Sequence, residues 1–129
     1  IMEKTGVIFA LIRDNKILMQ QRDENCKKFP LMWCLPGGGG EEGESYETTL
    51  LREIKEEYNL DLELAQCVYL MDYSNGADNK VYICKINSDQ EPKLREGLAM
   101  KWMAMDEIEK LELGFHQEGI ISALKTVML

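Results

Sequence analysis

The sequence is poor in several features that mark particular protein classes: it has one histidine, three prolines and no long apolar run. A membrane-spanning helix needs about 20 consecutive apolar residues, and no stretch of the chain approaches that length. No N-terminal segment combines a basic start, an apolar centre and a small-residue cleavage site, so no signal peptide is predicted. These absences predict a cytoplasmic protein with no membrane partner.

Closely spaced cysteines are also missing. The four cysteines stand at positions 26, 34, 67 and 84, which gives none of the short spacings typical of zinc sites. Their even number leaves a disulfide framework open in principle. A chain of 129 residues can bury one hydrophobic core without such a framework, so reduced and partly buried thiols are the favoured interpretation. We expect a single domain that covers residues 1–129.

Positive charge is scarce. The chain has 15 basic and 23 acidic side chains, which gives a formal net charge of −8. Binding to duplex nucleic acid depends on Lys and Arg side chains that neutralise phosphates, so this balance argues against such a partner. If the substrate is nevertheless a phosphate ester, a divalent metal must bridge the two sets of negative charge.

The order of apolar segments predicts a mixed α/β fold with a substantially antiparallel sheet. Apolar runs at 7–12 and 17–19 flank Asp14-Asn15, which indicates a hairpin. Another hairpin signal, Ser74-Asn75-Gly76, separates two β-type segments. The predicted strands are 7–12, 17–19, 33–35, 62–73, 80–86 and 100–103, and the predicted helices are 45–59, 106–111 and 117–128.

The stretch from Gly37 to Leu60 combines a glycine run, expected to be a loop, with an acidic helix. Ser45 is a plausible N-cap, and Asn59 marks the expected end because Asn tolerates the left-handed conformation. Apolar residues at helical spacing, Leu50, Ile54 and Tyr58, predict the buried face. Three glutamates share another face of this helix: Glu53, Glu56 and Glu57. Like charges at these spacings repel, so the pattern indicates either a solvated acidic surface or a cation site.

This stretch resembles the Nudix box. The matching residues are Gly38, Glu44, Arg52, Glu53-Ile54, Glu56-Glu57 and Leu60. The pattern departs from the family at one position, where Asn59 replaces a glycine. The order of strands and helices also resembles the Nudix α/β/α sandwich, with its mixed and largely antiparallel sheet.

The resemblance implies an enzyme that hydrolyses a nucleoside diphosphate linked to another group, with Mg²⁺ or Mn²⁺ as cofactor. By position, it makes Glu53, Glu56 and Glu57 metal ligands, with the Gly37 carbonyl as a further backbone ligand. It also implies that Glu44 braces the loop and that Arg52 orients the carboxylates.

Three residues outside the box have two interpretations each, and a fourth has one. Glu96 resembles a loop carboxylate of MutT-like members, as a fourth ligand or general base, but a solvated loop acid is equally consistent. Gln117 resembles in position an amide that reads the base edge in MutT-like proteins. The alternative interpretation is a polar residue near a helix start. Arg22 is either a phosphate contact or a strand-edge charge. His116, the lone histidine, is interpreted as structural.

The short chain favours a MutT-like pyrophosphohydrolase that acts on a nucleoside triphosphate or a related small nucleotide. The alternatives are hydrolysis of dinucleoside polyphosphates, sugar nucleotides, ADP-ribose or capped RNA, and a non-catalytic nucleotide-sensing module. The three mutually repelling carboxylates argue against a sensor. A homodimer is left open, since no exposed apolar stripe in the sequence demands one.

Overall fold

The computed structural model describes residues 4–128, which form a seven-stranded mixed sheet with helices on both faces. The strands are β1 Thr5–Arg13, β2 Lys16–Gln21, β3 Trp33–Cys34, β4 Gly37–Gly39, β5 Cys67–Ser74, β6 Asp78–Lys85 and β7 Ala99–Met103. The helices are α1 Tyr46–Tyr58, α2 Met105–Ile108 and α3 Glu118–Val127, with 3₁₀ turns at Leu64–Gln66 and Gly114–His116.

Strand β1 is the centre of this sheet. One of its edges pairs in parallel with β6 from Thr5 to Ile12, and β6 pairs antiparallel with the outer strand β5. The other edge pairs antiparallel with β2 at the end of the strand and with β4 near its start. Strand β2 in turn pairs antiparallel with β3 and β7. One parallel pair among antiparallel ones gives the predicted mixed, largely antiparallel sheet.

Both faces of β1 are buried, which explains why its sequence is a continuous apolar run and not an alternating one. Successive side chains of a strand point to opposite faces. Thus Phe9 and Leu11 pack with Leu50 and Ile54 of α1. The opposite face packs against α2 and α3, in a cluster that contains Ile8, Ala10, Ile12, Ile108, Ile120 and Leu124. The sheet therefore lies between two helical layers.

Helix α1 begins and ends as its sequence predicts. The Ser45 side chain accepts a hydrogen bond from the Thr48 backbone N–H, which satisfies one of the free donors of the first turn. At the other end Asn59 is left-handed, with φ 55°, and its N–H donates to the Lys55 carbonyl. Leu50, Ile54 and Tyr58 are wholly buried, as expected.

Two of the predicted elements were wrong. The residues Gly37–Gly39 form strand β4 and not a loop, because they pair with β1. A Cβ at Gly37 would collide with the β1 backbone, and one at Gly38 would overlap Glu53. The strand predicted at 62–73 starts at Cys67, since Leu64–Gln66 forms a 3₁₀ turn. Within residues 4–128, no helix has the length and apolar character needed to cross a membrane.

The left-handed end of α1 can be tested by two substitutions at Asn59. Asn59→Val should lower the free energy of unfolding by about 1–2 kcal/mol, because a β-branched residue is strained at this φ. Asn59→Gly should stay within about 0.5 kcal/mol of the wild type, since glycine accepts the conformation but gains freedom in the unfolded chain. Urea denaturation measures both. A valine variant as stable as the wild type would contradict this account of the helix end.

Candidate active site

The guanidinium of Arg52 is the centre of the charged surface of α1. Its Nε donates to Glu44 Oε2 at 2.7 Å, and its Nη2 donates to Glu44 Oε1 at 2.8 Å and to the Gly39 carbonyl at 2.9 Å. Its Nη1 donates to Glu53 Oε1 at 3.0 Å and to Glu56 at 3.2 Å. One cation therefore joins three carboxylates and strand β4, as a planar fork of five donors allows.

Glu44 is the anchor of this network in the loop before α1. Its Oε1 also accepts from the Glu41 backbone N–H at 2.8 Å and from the Thr49 hydroxyl at 2.9 Å. These bonds favour the charged carboxylate, and the one to Arg52 contributes most, so the pKa of Glu44 falls to about 2. Glu44 thus braces the loop as an anion, which agrees with its implied role.

The Glu53 side chain lies over the backbone of β4. A Cβ at Gly38 would overlap the Glu53 carboxylate, whereas a Cβ at Gly39 would meet no atom nearer than the Thr5 carbonyl at 3.9 Å. Gly38 is therefore a glycine because a carboxylate occupies the space where a side chain would be. The glycine run brings the metal-ligand candidate Glu53 against the backbone that carries the Gly37 carbonyl.

Glu57 is the buried carboxylate of the group, with 4% of its surface exposed. Among the residues described, its Oε2 is the one buried side-chain oxygen without a hydrogen-bond partner. Burial, and then the charges of Glu53, Glu96 and Glu56, raise the pKa of Glu57 to about 9. An unpaired buried anion is costly, so this oxygen needs either a proton or a cation.

Glu96 lies beside Glu57 because the loop that carries it is bonded to the end of α1. The Arg95 N–H donates to the Glu57 carbonyl, and the Lys93 N–H donates to the Tyr58 carbonyl, both at 2.9 Å. Glu96 is exposed to solvent, and it lines the same cavity as Glu57 and β4. That cavity has a volume of about 300 Å³. Glu57 and Glu96 are far apart in the sequence, and the fold brings both to the wall of one cavity.

These residues fit a hard divalent cation, which binds carboxylate and carbonyl oxygens. The unpaired Glu57 Oε2 is the observation that supports the fit. Within residues 4–128, no three acidic, histidine or cysteine side chains converge closely enough to hold an ion in this arrangement. The physical reason is that Arg52 holds Glu53 and Glu56, so a bound cation would compete with its Nη1 for their oxygens.

The two residues predicted to bind substrate line the same cavity but differ in what they contact. Gln117 is 2% exposed, and its amide accepts from the Leu35 N–H at 2.7 Å and donates to the Leu35 carbonyl at 3.4 Å. Its amide is thus engaged with the backbone after β3. The Arg22 guanidinium lies 4.6 Å from the Phe115 ring centroid, and its Nε donates to the Lys28 carbonyl at 2.9 Å.

An aromatic pocket opens beside this cavity, and sequence reasoning missed it. Phe29 and Phe115 pack at 5.0 Å between ring centroids, and the exposed His116 contacts Phe29 edge-on. The Tyr73 hydroxyl lies 2.7 Å and 2.8 Å from the carbonyl oxygens of Phe115 and His116. Asn75 lines both spaces. Phe29, Phe115 and His116 have left-handed φ angles of 51–59°. Their sequence does not predict these angles.

A comparison with family models places the chain in a known family. The NUDIX domain model matches residues 2–124. The chain therefore belongs to the Nudix family of hydrolases, which confirms the resemblance found in the box residues. The predicted α/β/α sandwich is also confirmed, because solved Nudix structures share this fold.

Several known proteins are similar to this chain. The RNA pyrophosphohydrolase of Pelagibacter ubique is 29% identical over 87% of this chain and 83% of its own length. The nucleoside triphosphatase NudI of Enterobacter sp. is 23% identical over 93% of this chain and 100% of its own. A MutT NUDIX hydrolase structure from Burkholderia pseudomallei has 30% identity and a TM-score of 0.66, with 81% and 85% covered. A MutT/nudix family structure from Enterococcus faecalis has 22% identity and a TM-score of 0.77 over 98% of this chain, which spans 62% of that one.

The close approach of Glu53 to β4 predicts different effects for two neighbouring glycines. Gly38→Ala should lower metal-dependent turnover by about tenfold or more, because the new methyl group displaces the Glu53 carboxylate. Gly39→Ala is the matched control and should stay within about twofold, since its methyl group meets open space. Steady-state rates across a Mg²⁺ titration measure both. Equal rates for the two variants would contradict the assigned contact.

The raised pKa of Glu57 predicts how the stability of the metal-free protein depends on pH. The native state keeps the Glu57 proton up to about pH 9, whereas the unfolded chain releases it near the ordinary value of 4.5. The unfolded state therefore binds fewer protons, and the free energy of unfolding falls as pH rises between those values. One such group contributes at most about 1.4 kcal/mol per pH unit.

Glu57→Gln should flatten this slope, and the exposed Glu56→Gln should keep it. Urea denaturation in a chelator at several pH values between the two pKa values measures the slopes. Added Mg²⁺ should stabilise the wild type most at the alkaline end, where binding displaces no proton. A glutamine variant at position 57 with the wild-type slope would show that another group causes the dependence.

Proposed function

We propose that this Nudix chain hydrolyses a phosphoanhydride linkage of a nucleoside triphosphate or a related small nucleotide, with Mg²⁺ or Mn²⁺ as cofactor. The observation that carries the proposal is the unpaired, buried Oε2 of Glu57 at the wall of the cavity. The names of the similar proteins support it, since one is a nucleoside triphosphatase and another an RNA pyrophosphohydrolase. The acidic charge of the chain favours the small nucleotide.

The acidic residues share one task in this mechanism, which is to hold the cation, and one of them also accepts a proton. Glu53, Glu56, Glu57 and Glu96 would hold the cation, together with the Gly37 carbonyl. When bound, the cation offsets the phosphate charge and lowers the pKa of the attacking water. Arg52 sets the positions of Glu53 and Glu56 through its Nη1. Glu57 or Glu96 takes the proton from the water, since both line the cavity.

The nucleotide would extend from the carboxylates toward the aromatic pocket. Arg22 lies between them, and its guanidinium can meet a phosphate while it stacks on Phe115. A nucleobase fits the pocket of Phe29 and Phe115, because every base offers an aromatic face to stack. The engaged amide of Gln117 supports the cavity wall at Leu35. Base-edge contacts are better served by the amide nitrogen of Asn75, whose oxygen accepts from Asn79 at 2.6 Å. A homodimer remains a prediction.

The reaction is tested with purified protein and a panel of nucleotides in the presence of Mg²⁺. Nucleoside triphosphates should be cleaved, and chromatography of the products identifies the bond. Glu57→Gln should reduce kcat by about a hundredfold or more with the fold intact, whereas Glu47→Gln, an exposed residue of the same helix, should retain wild-type rates. Binding without turnover on every member of the panel would favour the nucleotide-sensing alternative.

The position of the base is tested by Phe115→Leu, which keeps an apolar side chain but removes the aromatic face. Base stacking contributes about 1–3 kcal/mol, so the KM for nucleoside triphosphates should rise by about fivefold or more. The inhibition constant of inorganic triphosphate, which has no base, should change much less, because Arg22 keeps its hydrogen bond to the Lys28 carbonyl. If the binding of nucleotide and of inorganic triphosphate weakened to the same extent, Phe115 would act on the phosphates and not on the base.

A further inference from the structure

Two cysteines that are far apart in the sequence lie directly opposite each other in the sheet. Cys67 is the first residue of β5 and pairs in antiparallel register with Cys84 of β6. Directly opposed residues of antiparallel strands have Cα atoms about 4.5–5.5 Å apart, and disulfides span about 4.4–6.8 Å. Both side chains belong to the apolar cluster beneath α1, so they point to the same face of the sheet.

The two thiols differ in their access to solvent and in their acidity. Cys84 is wholly buried, whereas Cys67 is half-buried on the outer strand of the sheet. The neighbouring Cys84 thiol lowers the pKa of Cys67, and the proximity of Cys67 together with burial raises the pKa of Cys84. Cys67 is thus the more acidic and the more accessible of the two thiols, so its thiolate is the one that attacks a peroxide. By contrast, burial raises the pKa of Cys34 to about 11, which makes that thiol unreactive.

We propose that Cys67 and Cys84 form a redox modification site, at which a hydroperoxide converts the opposed thiols into a reversible disulfide. The Cys67 thiolate attacks one peroxide oxygen, which breaks the O–O bond and gives a sulfenic acid and hydroxide. The Cys84 sulfur then attacks the sulfenic sulfur, and the hydroxyl group leaves with the Cys84 proton as water. With the first hydroxide protonated, the dithiol has given two electrons and reduced one hydrogen peroxide to two waters.

The disulfide changes the stability of the outer strand and leaves the cavity unchanged. It closes the β5–β6 hairpin at the end opposite its turn, and so restricts the unfolded chain. Strand β5 rises about 3.3 Å per residue, so Cys67 lies about 20 Å from Tyr73 at the aromatic pocket. The oxidised protein should therefore unfold about 5 °C or more higher than the reduced one, with turnover unchanged within about twofold.

Mass spectrometry of the full chain tests the site. The protein is treated with a few equivalents of hydrogen peroxide, its remaining thiols are alkylated, and its proteolytic peptides are identified. A Cys67–Cys84 linked peptide that dithiothreitol separates is the expected result. Cys26→Ser is the matched control and should form the same link at the wild-type rate, because Cys26 has no part in it.

Single variants of the pair separate the two steps. Cys84→Ala should accumulate a sulfenic acid at Cys67 that dimedone traps, while Cys67→Ser should give no trapped adduct at Cys84. Circular dichroism checks that each variant folds. If a variant does not fold, the wild-type peptide map still tests the Cys67–Cys84 link. A map in which Cys26 is oxidised while Cys67 and Cys84 stay free thiols, or a link between any other pair, would overturn the proposal.

Discussion

The contact on which the rest of the site depends is the fork of Arg52 around Glu44. Two parallel hydrogen bonds at 2.7 Å and 2.8 Å fix the plane of the guanidinium, and that plane directs Nη1 toward Glu53 and Glu56. Without it, Glu53 and Glu56, which are like charges one turn apart on the helix, would repel each other and turn toward water. A lysine could not replace it, because a point charge has no fork that sets direction.

The same constraint explains why Glu57 differs from its neighbours. The guanidinium satisfies the carboxylates on its own side of the helix, but Glu57 lies over the sheet, near Gln20 and Cys34 at the cavity wall. Its burial comes from the packing of α1, since the next residue, Tyr58, is wholly buried and donates to Gln20 at 2.7 Å. A side chain held in place by core packing can keep an oxygen free, which a flexible surface carboxylate does not.

The box and the fold class could be predicted from sequence because their causes are local. Helix caps, the period of Leu50 and Ile54, and the turn residues Asp14 and Asn15 act over a few positions, and all were confirmed. Strand β4 was missed because its reason is non-local: three glycines pair with β1, where a side chain at Gly37 would collide with the β1 backbone and one at Gly38 with Glu53. Glycine composition predicts a loop when that contact is unknown.

The aromatic pocket could not be predicted for a related reason. Phe29, Phe115 and His116 have left-handed backbone angles, which propensity disfavours for all three. The Tyr73 hydroxyl at the end of β5 stabilises the turn through the carbonyls of Phe115 and His116, so a residue some forty positions away holds the ring in place. Such strain persists where surrounding structure compensates for it, and it is common at ligand sites.

Under the proposed function, this arrangement divides the chain into a part that carries the chemistry and a part that selects the molecule. The carboxylates stand on a capped helix braced by Arg52, where local sequence is sufficient to specify them. The aromatic pocket is built from the turn before α3, the loop after β2 and the end of β5, which tertiary contacts hold together. Among the residues described, no direct hydrogen bond connects the pocket to the Arg52 network, so we expect substitutions at the pocket to leave that network in place. Under the proposed function, the pocket could therefore change its ligand while the box stays the same, and substrate identity would be encoded outside the motif that identifies the family.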